Sequence, residues 1–240
     1  MSDDVHARAQ AQVRTDEAAS TGPRRRSAGL LDAVRQFWRH PSPWMLATLL
    51  VCAVTARLLT GDWQVSDAAT PVVMLAVFPF FEWLVHVCIL HWRPLRIGRL
   101  RLDPLLSRKH RAHHADPRDV PLVFIPWQVQ LWLLPATTAI ALLAFPRLGV
   151  GLTYLVTAAA LGLGYEWMHY LIHSDYRPRT RLYRAIWRNH RLHHYKNEHY
   201  WFTVTTSGTA DRELRTHPVP ETVRTSPTVR DLHAREAAAG

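Results

Sequence analysis

Four apolar stretches, at about residues 43–59, 68–90, 122–145 and 148–173, alternate along the chain with segments dense in arginine, histidine and proline. Crossing the hydrocarbon of a bilayer takes about 20 helical residues, so the first stretch is short and the other three suffice. The pattern predicts an all-α fold, an integral membrane anchor of four helices arranged as two hairpins. Only Pro146-Arg147-Leu148-Gly149 separates the third span from the fourth, which implies a tight turn. Pro126 and Pro135 are expected to break or kink the third span. Trp44, Trp63 and Trp127 fall near span ends, where indole rings favour the membrane interface. Arg57, near the far end of the first span, is expected to snorkel towards water.

The flanks lack such periodicity. Residues 1–36 are predicted to be a disordered basic arm and residues 218–240, rich in Pro, Thr, Ala and Arg, a disordered tail. The membrane-embedded domain lies between them, at 37–217. No apolar core follows a short basic start, so the N-terminus does not read as a secretory signal.

Charge adds an orientation. The net charge of +10 is unevenly placed: the loop 60–69 has no Lys or Arg, 91–121 has eight, and the chain beyond His173 has twelve. Basic loops stay on the cytoplasmic side, so both termini are expected there, most simply at the plasma membrane. Anionic lipids rather than nucleic acid are the natural counter-charge. Cys52 and Cys88 both sit in apolar runs and form no CxxC pair, so neither a disulfide nor a thiolate metal site is expected.

The same cytoplasmic segments hold the candidate chemistry. Ten of the fifteen histidines form four clusters: His86 with His91, His110-x2-His113-His114, His169 with His173, and His190-x2-His193-His194. Positions i, i+3 and i+4 share a helix face, so each three-histidine run is expected to project its imidazoles to one side. His91, five residues after His86, faces away on an ideal α-helix and can join a shared site only if the helix ends near it, as Pro94 suggests. His6, His40, His217 and His233 read as ordinary surface or core residues, and His199 stays ambiguous. Glu82-Trp83 before His86 echoes Glu166-Trp167 before His169. Ligating histidines usually donate their other ring N–H to a carboxylate or carbonyl, and Glu82 and Glu166 are the best-placed carboxylates for that role.

Imidazole suits iron, copper and zinc alike. Ten histidines would serve two metals with four or five each and leave room for an exogenous ligand. A redox pair where acyl chains meet the cytoplasm suits activation of dioxygen against a lipid C–H bond. No GxSxG or HExxH motif points to hydrolysis.

The series His-x4-His, His-x2-His-His, His-x3-His, His-x2-His-His resembles the fatty acid hydroxylase/sterol desaturase superfamily, most closely the fatty acid 2-hydroxylase type. Glu82-Trp83-Leu84-Val85-His86, His113-His114-Ala115-Asp116-Pro117, Tyr165-Glu166-Trp167-Met168-His169-Tyr170 and His193-His194-Tyr195-Lys196-Asn197 carry the likeness, over roughly residues 75–215. The resemblance implies a cytoplasmic histidine-rich cap on the four-helix anchor, two iron ions held by the ten histidines, and hydroxylation of a lipid acyl chain with O2 and a reductant. Zinc is the expected result of mis-metalation. No fused haem domain fits before Pro43, so the electron donor is expected to be a separate protein. The chain departs from the family pattern at Thr203, where Gly is usual, at Ala210 before Asp211, and at Leu214-Arg215-Thr216, which puts the substrate pocket in question.

Three other readings stay open. Desaturation, sterol or carotenoid oxidation and ether-lipid cleavage use the same boxes. A membrane cytochrome would hold haem between His86 and His169. A metal transporter would place its ligands nearer the bilayer midplane.

Overall fold

The computed structural model describes residues 29–233; residues 1–28, with His6 and most of the expected arm, and residues 234–240 lie outside the described residues. Among the described residues, four helical segments are long and apolar enough to cross a membrane: Pro41–Thr60, Val65–Leu90, Val120–Leu143 and Leu148–His173. Helix α1 (Leu30–Phe37) precedes them. The first span is α2 (Pro41–Thr60), longer than its apolar core because Pro41 and Pro43 fit the first helical turn, where no N–H is needed. The second combines a 3-10 turn, α3 (Ala69–Val85) and a π-helical turn at His86–Leu90. A two-stranded hairpin, β1 (Leu95–Ile97) and β2 (Leu100–Leu102), leads to α4 (Leu105–Ala115). The third span divides at Phe124–Pro126 into the short α5 (Val120–Val123) and α6 (Trp127–Leu143). Pro126 therefore breaks it as expected, whereas α6 runs on through Pro135. The last span is α7 (Leu148–His173), followed by α8 (Arg181–Tyr195) and α9 (Thr209–Glu213).

Helix α7 is the centre of the bundle and packs against α2, α3 and α6. The turn between α6 and α7 is tight because Gly151 has no side chain; a Cβ there would lie 1.9 Å from the Ala141 carbonyl oxygen. Two expectations about the flanks need correction. Leu30–Phe37, inside the predicted arm, is helical and buries Ala33 and Phe37 against Val123, Phe124, Tyr170 and Leu171. The predicted tail is ordered as far as residue 233 and buries Val229 and Leu232. Its composition hid this because its polar atoms bond to buried groups of the cap rather than forming a periodic apolar face.

Arg57 also differs from expectation. It is buried and does not reach water; its Nη2 donates to Asp67 Oδ2 at 2.8 Å, its Nε to Thr153 Oγ1 at 3.0 Å, and it stacks 3.6 Å over Trp63. Arg147 closes the cluster by donating to Asp67 and, at 2.7 Å, to Asp62. This ties both hairpins together at the end of the bundle away from the histidines. Removing one partner of a buried pair leaves a costly unpaired charge. Asp67→Asn is expected to lower the unfolding midpoint in detergent more than Asp62→Asn, which breaks only a half-exposed pair. Equal, small effects would refute a structural role for this cluster.

Candidate metal centre

All ten clustered histidines meet at one end of the bundle, in two groups of five. His86, His91, His110, His114 and His193 form the first; His113, His169, His173, His190 and His194 form the second. Within each group one ring nitrogen per residue lies within 4.8 Å of all the others.

The grouping crosses the sequence runs. On α4, His110 and His114 (i, i+4) serve the first group while His113 serves the second; on α8, His190 and His194 serve the second while His193 serves the first. A run does not face one side as expected. Each gives two imidazoles to the group of the preceding span and one to the opposite group. The sequence echo is thus a spatial pseudo-twofold exchange that locks α4 to α8. His91 enters through the π turn, in which the His91 N–H donates to the His86 carbonyl at 3.0 Å. The i→i+5 bond widens the helix and returns His91 over His86, with ring centroids 5.1 Å apart. The helix then ends, as Pro94 suggested.

The nitrogens lie at coordination spacing. His91 Nε2 and His114 Nε2 are each 3.2 Å from His193 Nε2. In the second group His113 Nε2 is 3.2 Å from His173 Nε2, and His190 Nε2 is 3.1 Å from His194 Nε2. Adjacent ligands about 2.0–2.1 Å from one metal ion stand roughly 2.9–3.4 Å apart. The groups adjoin, with the His114 and His194 rings 4.2 Å apart. Among the described residues, His110 Nε2 and a ring nitrogen each of His86 and of His169 are buried without a hydrogen-bond partner. Burial holds His110, His113, His114, His190 and His194 well below the ordinary imidazole range, with neighbouring imidazoles adding to it. Burial likewise pushes His193 down to about 4. Neutral imidazole is the form that ligates metal. The donor set of each group therefore fits a metal ion of borderline softness.

The outer contacts correct the role expected for the glutamates. His193 Nδ1 faces the Tyr200 carbonyl at 2.8 Å, and His114 Nδ1 faces the Val229 carbonyl at 3.0 Å. Glu82 instead accepts from the backbone N–H of Val204 and, at 3.0 Å, of Thr205, and from the Thr205 hydroxyl at 2.7 Å. Glu166 accepts from Ser42 Oγ and from the Ile125 N–H at 2.9 Å. Each glutamate, one turn or less before a clustered histidine, holds another chain segment in place rather than an imidazole. Three partners escaped the sequence reading. Asp211 accepts from the N–H groups of Phe202 and Thr203 and from the hydroxyls of Thr203 and Thr216, so two positions that depart from the family pattern are used together. The grip fixes a turn in which Trp201, fully buried, takes a left-handed backbone (φ 57) and the Tyr200 carbonyl meets His193. Buried Glu198 accepts from Ser226 and Thr228 of the tail, and Arg230 donates to the Ala115 carbonyl at 2.8 Å. Glu198 stood beside a histidine cluster in the sequence; the Val229 carbonyl carried no sequence signal.

The other described histidines belong to neither group. His40 stacks on Phe124, His199 is exposed beside Glu198, His217 packs at Gly208, and His233 approaches the His91 carbonyl at 3.2 Å. His86 and His169 belong to different groups, so the pairing that a single haem would need is not the one the fold makes.

Glu82→Ala would strand two buried N–H groups, each costing about 1–3 kcal/mol. Stability is expected to fall by that order and metal retention with it, because the turn presenting Tyr200 loosens. Glu82→Gln keeps an acceptor oxygen and is expected to lose less than half as much. Unfolding curves and metal analysis of both variants check this; equal losses would argue that charge, not clamping, is what Glu82 supplies.

Four membrane-length helices closed by two five-imidazole clusters define a membrane-protein class with a histidine site that could hold metal. Residues 71–216 match the fatty acid hydroxylase family model, and the chain belongs to that family. No curated protein and no solved structure matches the chain. Membership and clusters together make it a membrane enzyme of lipid oxidation.

Proposed function

We propose that the chain is a di-iron monooxygenase that hydroxylates a C–H bond of a fatty acyl lipid. The observation that carries this reading is the pair of adjoining five-imidazole groups at one end of four membrane-length helices, in a chain of this family. Leu90, Leu122, Ile125 and Tyr165 surround a small space that touches His110 and His169, one histidine from each group.

Each group of five imidazoles would hold one iron. The iron pair would supply the reduction of dioxygen, in which one oxygen atom enters the C–H bond and the other leaves as water, with two electrons and two protons from a donor. The residues of the chain would supply the rest. The carbonyls of Tyr200 and Val229 fix the orientation of His193 and His114. The segment 226–230 closes the cap over α4. The positive-inside rule supports a cytoplasmic cap and cytoplasmic termini, most simply at the plasma membrane, where a separate electron-donor protein would have access.

The test is mass spectrometry of lipids from cells expressing the wild type or His193→Ala under 18O2. One labelled oxygen in an acyl lipid, gained only with the wild type, is the expected result. Loss of two hydrogens would assign desaturation instead. No difference in iron-replete cells with a competent reductant would refute the lipid-oxidising reading.

A further inference from the structure

The hairpin β1–β2 takes no part in the metal centre, and its two faces differ sharply. Leu95 pairs with Leu102 and Ile97 with Leu100, so these four side chains share one face; the Arg96–Arg101 pair lies on the other. A two-residue turn, Gly98-Arg99, joins the strands with Gly98 at φ 59. All four apolar residues are exposed, from 37 % for Leu102 to 59 % for Leu100. A two-stranded hairpin is marginal in water by itself, and a contiguous apolar face of this kind calls for a cover.

We propose that this hairpin is an interfacial anchor whose cover is the anionic leaflet on the cap side of the membrane. Three observations choose that occupant over a protein. The second membrane span ends at Leu90 and the first strand begins at Leu95, which limits their separation to about 17 Å. Trp92, of the residue type that favours the headgroup level, stands between them and is 39 % exposed. Arg96 and Arg99 offer cations beside the apolar face, the composition of an element lying at the boundary between headgroups and acyl chains. The base of the hairpin is also fixed to the cap. Asp103 accepts from Arg101 at 3.0 Å and from Arg111 of α4, and Arg111 donates to the Trp92 carbonyl at 3.1 Å. A hairpin held by α4 at the leaflet surface would set the depth of α4, and so of His110, His113 and His114, relative to the bilayer.

The experiment needs no catalysis. The full chain carrying Cys52→Ser and Cys88→Ser receives a single environment-sensitive fluorophore through Leu100→Cys or Arg96→Cys. It is then placed in vesicles of phosphatidylcholine with or without phosphatidylglycerol. The Leu100 probe is expected to be blue-shifted, quenched by doxyl-labelled lipid and shielded from aqueous iodide, and the Arg96 probe the reverse. Replacing Arg96 and Arg99 by alanine in unlabelled protein is expected to abolish the extra trypsin protection of Arg101 that phosphatidylglycerol gives, each arginine contributing about fivefold. Equal iodide quenching at both positions in both lipids would overturn the proposal and leave the face to a protein partner. Burial of Leu100 that does not depend on phosphatidylglycerol would overturn its anionic-lipid part. Retention of bound metal by each labelled variant shows that the cap is folded.

Discussion

His193→Ala is expected to unload one metal cluster and spare the other, and His194→Ala to do the opposite. The two residues are adjacent on α8, yet His193 Nε2 lies 3.2 Å from His91 and His114 whereas His194 Nε2 lies 3.1 Å from His190. Loss of an outer partner of a ligating histidine typically costs 10–100-fold in metal affinity or activity, and loss of the ligand itself costs more. Metal per chain should fall from about two ions to about one in either variant, and turnover by more than about 100-fold in both. The double variant should hold almost none. Metal analysis alone reads the first part and spectroscopy of the remaining ion the second, because the surviving cluster differs between the variants. If either single variant lost both ions with the fold intact, the two groups would be one site, and the crossed assignment would fail.

That crossing marks what the sequence could convey. The four spans were legible because bilayer thickness converts directly into run length, and the ten histidines because their spacings are helical. Which imidazole joins which group was not legible. His113 and His193 depart from their own runs because α4 and α8 present opposing faces to a common centre, and that angle is a tertiary fact. His91 looked misplaced on an ideal helix, and only the π turn at His86–Leu90 brings it in; no local residue pattern announces such a turn. Glu82 and Glu166 were expected to hold imidazoles but accept from backbone N–H groups and hydroxyls instead, since backbone amides compete for a carboxylate as well as imidazoles do. The segment 226–230 failed differently. Its contribution is a carbonyl, a hydroxyl pair and one arginine contact, none of which composition reveals.

The metal-stripped protein is expected to be acid-labile in a range where most proteins are not, and the loaded protein to resist. His91, His110, His113, His114, His190 and His194 are held by burial well below the ordinary value of 6.5, and His193 at about 4. In the unfolded chain each titrates near 6.5. As pH falls below 6.5 the unfolded state therefore takes up protons that the folded state refuses. The stability these groups allow is fully present above 6.5 and is lost as pH drops towards their folded values. Each refused proton costs about 1.4 kcal/mol per pH unit, so seven such groups consume several kcal/mol within the first unit, against a typical total of about 5–15 kcal/mol. Metal bound to neutral imidazoles of the folded state opposes this by mass action. Thermal melts in detergent from pH 8 to 5 should show the stripped form declining steeply just below pH 7 and the loaded form holding to lower pH. The gap between the curves should widen with acidity until the metal itself is displaced. A flat profile for the stripped form would mean that the histidines reach water when the metal leaves. The cap would then be assembled by its metals rather than ready to receive them.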